Sequence, residues 1–283
     1  MMKYLCLIFI LLAASVTFGQ DDYSDDSELY PVAEFIPPAQ YDVRWLIDTP
    51  TAYMLPRGSF DLDFRTFPHG GVQAAISIGL ADRFSLGLAY GGSRILSEES
   101  PEWNSKMEFK IRYMLIEEYR SFPQISVGFS SIGYGLYQER DEDIGYDEDR
   151  YLIKSPGFYL CASKRYPVYT SYLSLHGGIN YSLESEIDSD PNFFAGALIN
   201  LGYNMIFLAE YDLAINDNKK AGQFGKGRGY LNLGIAWYIT SELQLELDFR
   251  NVLLNRNRSD EFGNEDLVID REVRLVYLQF FTD

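Results

Sequence analysis

Few residues in this chain are of a type and spacing that could do chemistry. It has two histidines. His69 stands in "FPHGG", a turn-like setting beside two glycines, where an imidazole could serve as a proton carrier or simply as a turn residue. His176 in "LSLHGGINY" has no second His or Cys at metal-ligand spacing, so it reads as a satisfied polar side chain, and no metal site or cofactor is assigned. "GFSSIG" has the wrong spacing for a nucleophile elbow and lies inside a strand-like run. "GQFGKGRG" lacks the phosphate-loop spacing and its terminal Ser or Thr. The loop "ERDEDIGYDEDR" is rich in acids, but their order does not fit an EF-hand.

What the chain has in quantity is ionised residues in strict alternation with apolar ones. In "TSELQLELDFR", Leu243, Leu245, Leu247 and Phe249 oppose Glu242, Gln244, Glu246, Asp248 and Arg250. In "SFDLDFRTF", Phe60, Leu62 and Phe64 oppose Asp61, Asp63 and Arg65. In "SKMEFKIRYML", Met107, Phe109, Ile111 and Tyr113 oppose Lys106, Glu108, Lys110 and Arg112, and in "REVRLVYLQFF" Glu272 and Arg274 alternate with Val273 and Leu275. Period-two alternation means strands, with all the charges on one face. These thirteen ionisable residues are seven acids and six bases, so the charged face is almost neutral overall. Strong ion selectivity is therefore not expected of it, and facing pairs could cross-link.

Such strands number twelve, at 59–67, 71–80, 84–92, 105–115, 122–136, 153–166, 170–183, 193–202, 205–215, 228–239, 242–251 and 270–281. After the short first hairpin, tight turns alternate with longer loops at 93–104, 137–152, 184–192, 216–227 and 252–269. Short turns at one end and long loops at the other mark a transmembrane barrel, whereas a Greek-key sandwich has no reason to sort its loops by length. Burying so many ions in a dry sandwich core would be prohibitive. The fold class expected is all-β: an antiparallel up-and-down transmembrane barrel of about twelve strands, within the range 10–14.

Residues 1–19 supply a short basic start at Lys3, an apolar run and a small-residue exit, which is a secretory signal peptide with cleavage expected near Gly19. Cys161 is then the single remaining cysteine, so no internal disulfide is available. Residues 20–57 are acidic and then proline-punctuated, and read as a periplasmic lead, with the barrel at 58–283. The formal charge of −17 becomes −18 when Lys3 is removed, which argues against a nucleic-acid partner. The terminal strand ends on Phe280 and Phe281, residues suited to recognition by barrel-assembly machinery, although Thr282 and Asp283 follow them.

The segment "DTPTAYMLPRGSFDLDFR", with Thr49, Pro50, Ala52 and Gly58, resembles the opening of the YjbH-type outer-membrane proteins linked to exopolysaccharide production. The similarity runs on through "AISIGLADRFSLGLAYGG" and "YLCASKRY", over Asp48 to Leu183. It implies an outer-membrane location in a Gram-negative-type bacterium and a link to polysaccharide export components, and it brings no catalytic residues. Three function classes follow from the residues and the resemblance. The first is a porin-like transport or export component. The second is a structural or surface-interaction barrel with a closed lumen. The third is a lipid-modifying enzyme using His69 at the outer rim, and on balance the chain is expected not to be an enzyme. Outer-membrane lipid and lipopolysaccharide are the expected surroundings, with the basic loop of Lys219, Lys220, Lys226 and Arg228 suited to lipopolysaccharide phosphates.

Overall fold

Alternation of apolar and ionised residues builds the walls of the molecule. In a computed structural model, the described residues are 43–139, 149–169, 171–184, 188–200, 204–218, 226–255, 258–259, 265–266 and 269–281. The expected signal peptide and the acidic run at 20–30 fall outside them, as do Lys219, Lys220 and the centre of the acidic loop. Twelve barrel strands follow in order: β1 (Ser59–Phe67), β2 (Gly71–Ala81), β3 (Phe84–Ser93), β4 (Glu108–Ile116), β5 (Gln124–Ser130) and β6 (Gly157–Val168). The ring continues with β7 (Ser171–Tyr181), β8 (Asn192–Asn200), β9 (Met205–Asp212), β10 (Tyr230–Tyr238), β11 (Leu243–Arg250) and β12 (Asp270–Phe280). Each strand pairs antiparallel with its neighbours in sequence, and β1 pairs with β12 from Ser59 opposite Phe280 to Arg65 opposite Arg274. The sheet therefore closes on itself, with every barrel strand paired on both sides.

The usual rule of burial is inverted. On β11, Gln244, Glu246, Asp248 and Arg250 are buried while Leu247 and Phe249 are 47% and 43% exposed. The same inversion puts Leu62, Phe64, Phe109, Ile111, Val273 and Leu275 outside, with Asp61, Asp63, Glu108, Arg112, Glu272 and Arg274 inside. An apolar belt around a closed antiparallel ring fits hydrocarbon, not water, so the barrel spans a membrane.

The longer connections all leave one end, and the start of β1 at Ser59 and the end of β12 at Phe280 lie at the other. At the long-loop end, Tyr134–Gln138 pairs with Arg150–Ile153 as a separate hairpin, and Glu102–Trp103 extends the edge of β3.

The structure corrects three expectations. The proline-punctuated segment from Val43 is not a periplasmic lead: Leu46, Ile47, Thr51 and Ala52 are fully buried, inside the barrel. Lys106 precedes β4 instead of lying in it, and its side chain is 42% exposed. Glu242 sits in the turn before β11, not in the strand, and its carboxylate accepts from the hydroxyls of Thr240 and Ser241 at the short-turn mouth of the bore. Both had been placed by continuing the alternation past the point where the ladder stops. The doubly apolar end of β12 also finds its reason here, because Leu278 points inward and lines the same cavity as Val43.

Candidate functional site

The barrel interior is occupied by its own chain. Residues 43–57 run in from the short-turn end, reverse at Ile47–Thr49 and return to β1. The two limbs are joined by Thr51 N–H donating to the Arg44 carbonyl at 3.0 Å, Thr51 Oγ1 to the Val43 carbonyl at 2.7 Å, and a bridge between Trp45 and Pro50. Pro50 and Pro56 keep the segment from joining the sheet, so its backbone donors and acceptors must be met by wall side chains.

They are met with unusual completeness. At the apex the amides of Ile47, Asp48 and Thr49 and the Thr49 hydroxyl all donate to the Glu210 carboxylate on β9, at 2.7 to 3.1 Å. Asn232 on β10 donates to the other side of that carboxylate at 2.7 Å. On the returning limb, Ala52 N–H donates to Ser163 Oγ, and the Ala52 carbonyl accepts from Gln124 and Ser126. Arg112 donates to the carbonyls of Tyr53 and Arg44, Arg65 to that of Ile47, and Arg274 to that of Leu46. Close approach is built into the wall: a Cβ on Gly196 would lie 2.2 Å from Leu46 Cδ1. Apolar contact adds to this where Val43 and Leu46 pack on Tyr172, Leu198, Ile206, Leu208, Ala236 and Tyr238. At the exit, Gly58 takes φ +73°, a conformation that turns the hairpin into β1 and that a side chain would strain.

The charged face expected from the sequence is thus mostly present but already engaged. Arg274 bonds Asp63 through both Nε and Nη2 and reaches Glu246 at 3.3 Å. Arg250 contacts Glu272 at 2.6 Å and pairs with Asp48 of the hairpin. Asp61 pairs with Arg44 of the hairpin at 2.9 Å, and Arg65 lies within 3.7 Å of Asp48 and 3.5 Å of Asp63. Glu108 accepts from Tyr151 Oη at 2.9 Å. Asp248 lies between Glu246 and Glu272, buried. Lys110 stands apart and is taken up below.

His176 does face the interior, where Ser163 Oγ meets its Nδ1 at 2.8 Å and the Tyr53 ring meets it edge-on. His69 is exposed in the β1–β2 turn at the long-loop end, with φ +64° and its carbonyl accepting from Arg94 N–H. The turn itself accounts for its position. Cys161, on β6, lies against the hairpin with its thiol 3.2 Å from the Thr51 carbonyl.

A second closure covers the outer mouth. Arg150 clamps Asp217 with two bonds at 2.8 and 3.2 Å, joining the Tyr134–Ile153 hairpin to the β9–β10 connection. Glu184, in the β7–β8 loop, accepts from Tyr151 N–H, Ser155 N–H and Ser155 Oγ. Burial pushes the Glu184 carboxyl above its ordinary range, and the hydrogen bonds only partly oppose that. The Tyr134 ring covers the Arg250 guanidinium at 3.9 Å and packs with Phe67 and Ile153. The loop therefore touches the wall at several points around the opening.

Sequence reasoning found the walls and missed both closures. The available signal for the inner one was "DTPTAYMLP", a run of hydroxyl and apolar residues too rich for an open linker and without strand periodicity.

No family model matches the chain, and no curated protein matches it. Among solved structures, a KdgM porin aligns with TM-score 0.46 and 11% identity, over 79% of this chain and 99% of that one. A KdgM porin in complex with disordered oligogalacturonate aligns at 0.44 and 12%, over 79% and 99%. A NanC porin aligns at 0.41 and 7%, over 79% and 100%. At such identity no residue of theirs carries over to this chain.

Proposed function

We propose that this chain is an outer-membrane channel closed by its own N-terminal hairpin, serving transport or export of a polar solute. The observation that carries the reading is how the hairpin is held. Its backbone is bound largely by hydrogen bonds from wall side chains, of the kind water can replace one by one, and its apolar contact is confined to two patches, one around Leu46 and one where Ala52 and Trp45 meet Tyr159 and Phe194. A permanently filled barrel would be better served by a dry, apolar core, since buried ion pairs are seldom more stabilising than apolar packing. Withdrawn through the short-turn end about Gly58, the hairpin would uncover a charged, wettable bore.

The cargo class we propose is surface polysaccharide or its precursors, on the resemblance to YjbH-type proteins. The residues carrying that resemblance, Thr49, Pro50, Ala52 and Gly58, lie at the apex, on the returning limb and at the exit of the hairpin. Lipopolysaccharide around the long-loop end, the barrel-assembly machinery and export components are the partners this reading implies.

A second reading, a closed barrel with a structural or surface-interaction role, is favoured by the outer loop clamped through Arg150 and Asp217. Planar-bilayer conductance of the mature chain, beside a form beginning at Gly58, separates the two. Large added conductance in the shortened form supports the channel. An equally silent shortened form, folded by heat-modifiable gel migration, overturns it in favour of the closed barrel.

A further inference from the structure

The hairpin does not fill the bore, and what remains open has a sign. Three small adjoining cavities of about 40, 30 and 20 Å³ run along the β1–β4 and β11–β12 side, from the turn at Ser241 to the outer loop at Tyr134 and Lys154. Trp45 and Lys110 line all three. Together their walls carry six bases and four acids, a surplus of two positive charges in a protein of formal charge −17.

Most of these charges are engaged. Arg44 holds Asp61, Arg65 and Arg274 share Asp63, Arg112 is bound to backbone carbonyls, and Lys154 donates to the carbonyls of Asp188 and Asn216. Among the described residues Lys110 has neither a hydrogen bond nor an ion pair, and feels Asp61 and Asp63 only at longer range. Its stem is placed by the wall: Lys110 is paired across the ladder with Gly87, and a Cβ on Gly87 would lie 2.8 Å from Lys110 Cε. The missing side chain gives the lysine room to lie over β3 and present its ammonium where the cavities meet.

We infer that Lys110, beside Trp45, forms an anion site in a narrow passage past the closed hairpin, taking small inorganic anions or monocarboxylates. A low-dielectric wall focuses the field of a cation that has no ion-pair partner on a narrow passage, and one such charge biases the sign of what enters. The near-neutral bore expected from the sequence does not describe this passage: among the described residues most inner charges are paired or hydrogen-bonded, and of the two that are not, Lys110 lines the three cavities while Asp248 does not. This inference rests on the channel reading but concerns the closed state.

The test is the reversal potential of the intact mature chain across a KCl gradient, for wild type, Lys110→Met and Lys110→Glu. The wild type should prefer chloride severalfold, Lys110→Met should lose the preference, and Lys110→Glu should reverse its sign. A cation-preferring wild type, or a ratio unmoved by Lys110→Glu, overturns the inference. Trp45 gives a readout that needs no current. In a Trp103→Phe/Trp237→Phe background, iodide should quench Trp45 fluorescence more than caesium does, and Lys110→Glu should abolish that difference. Equal quenching by both ions, or none by iodide, overturns the inference too. A form beginning at Gly58 that conducts no better than the intact chain would sink the gating instead, and leave the Lys110 result standing.

Discussion

Removing the Glu210 carboxylate should unlatch the hairpin. That one group accepts from three successive amides and from the Thr49 hydroxyl. Each buried amide left without an acceptor costs about 1–3 kcal/mol, so Glu210→Ala sacrifices at least about 3 kcal/mol of closure. At 1.4 kcal/mol per factor of ten, the open population should rise roughly 10²-fold. The native Cys161 reports this directly, because its thiol is 1% exposed and covered by the hairpin at the Thr51 carbonyl. When opening is fast relative to labelling, the rate of modification follows the open population. Mature wild-type protein in detergent should therefore react very slowly with a polar maleimide, and Glu210→Ala roughly 10²-fold faster. The barrel itself should survive, since its strands close through their own ladder, and unchanged heat-modifiable migration would show that. A folded Glu210→Ala barrel whose Cys161 labels within about threefold of wild type would refute the claim that these bonds hold the hairpin.

Other perturbations act on each closure separately. Gly196→Val places a side chain where Leu46 now packs, 2.2 Å from its Cδ1, and should speed Cys161 labelling without lowering the barrel's melting temperature by more than a few degrees. Arg150→Ala leaves Asp217 buried without its guanidinium, at a cost of roughly 3–5 kcal/mol to outer-loop closure. Tryptic cleavage after Lys154 should then become fast while the wild type resists there. The outer loop should also respond to pH. Burial raises the Glu184 carboxyl above its ordinary value, so the folded loop takes up a proton more readily than the released one. Stability of the closed loop is then fully present below the ordinary carboxylate range and lost as pH rises through the raised value. Amide exchange of Tyr151 and Ser155 should accelerate with pH over that window beyond the intrinsic rate, and Glu184→Gln should abolish the excess.

Strand walls were legible because a barrel's inner and outer faces impose a strict period of two. Phe84–Ser93 and Asp270–Phe280 fall within a residue of the runs read from alternation alone. Boundaries slipped where alternation outlasted pairing: Lys106 continues the pattern of Glu108 and Lys110 yet lies beyond the ladder, and Glu242 does the same before Leu243. The run at 122–136 is in fact two elements, β5 and the start of the outer hairpin, separated at Ser131–Gly133. The inner hairpin was not legible. The bonds at its apex join residues more than 160 positions apart, as between Thr49 and Glu210, and proline removes any periodicity. The engagement of the charged face followed from that omission. Arg250 and Asp61 could be placed on the inner wall, but not paired with Asp48 and Arg44, residues read as lying in the periplasm.

The occupied bore is tested most directly by hydrogen–deuterium exchange at Ile47, Asp48 and Thr49 in the intact mature protein, resolved by residue. If the hairpin sits on Glu210, these three amides exchange slowly, as those of the barrel strands do, and all three quicken together in Glu210→Ala. Exchange at the rate of a free peptide in the wild type would mean that the segment lies outside the barrel, and the account of a self-closed channel would fall with it.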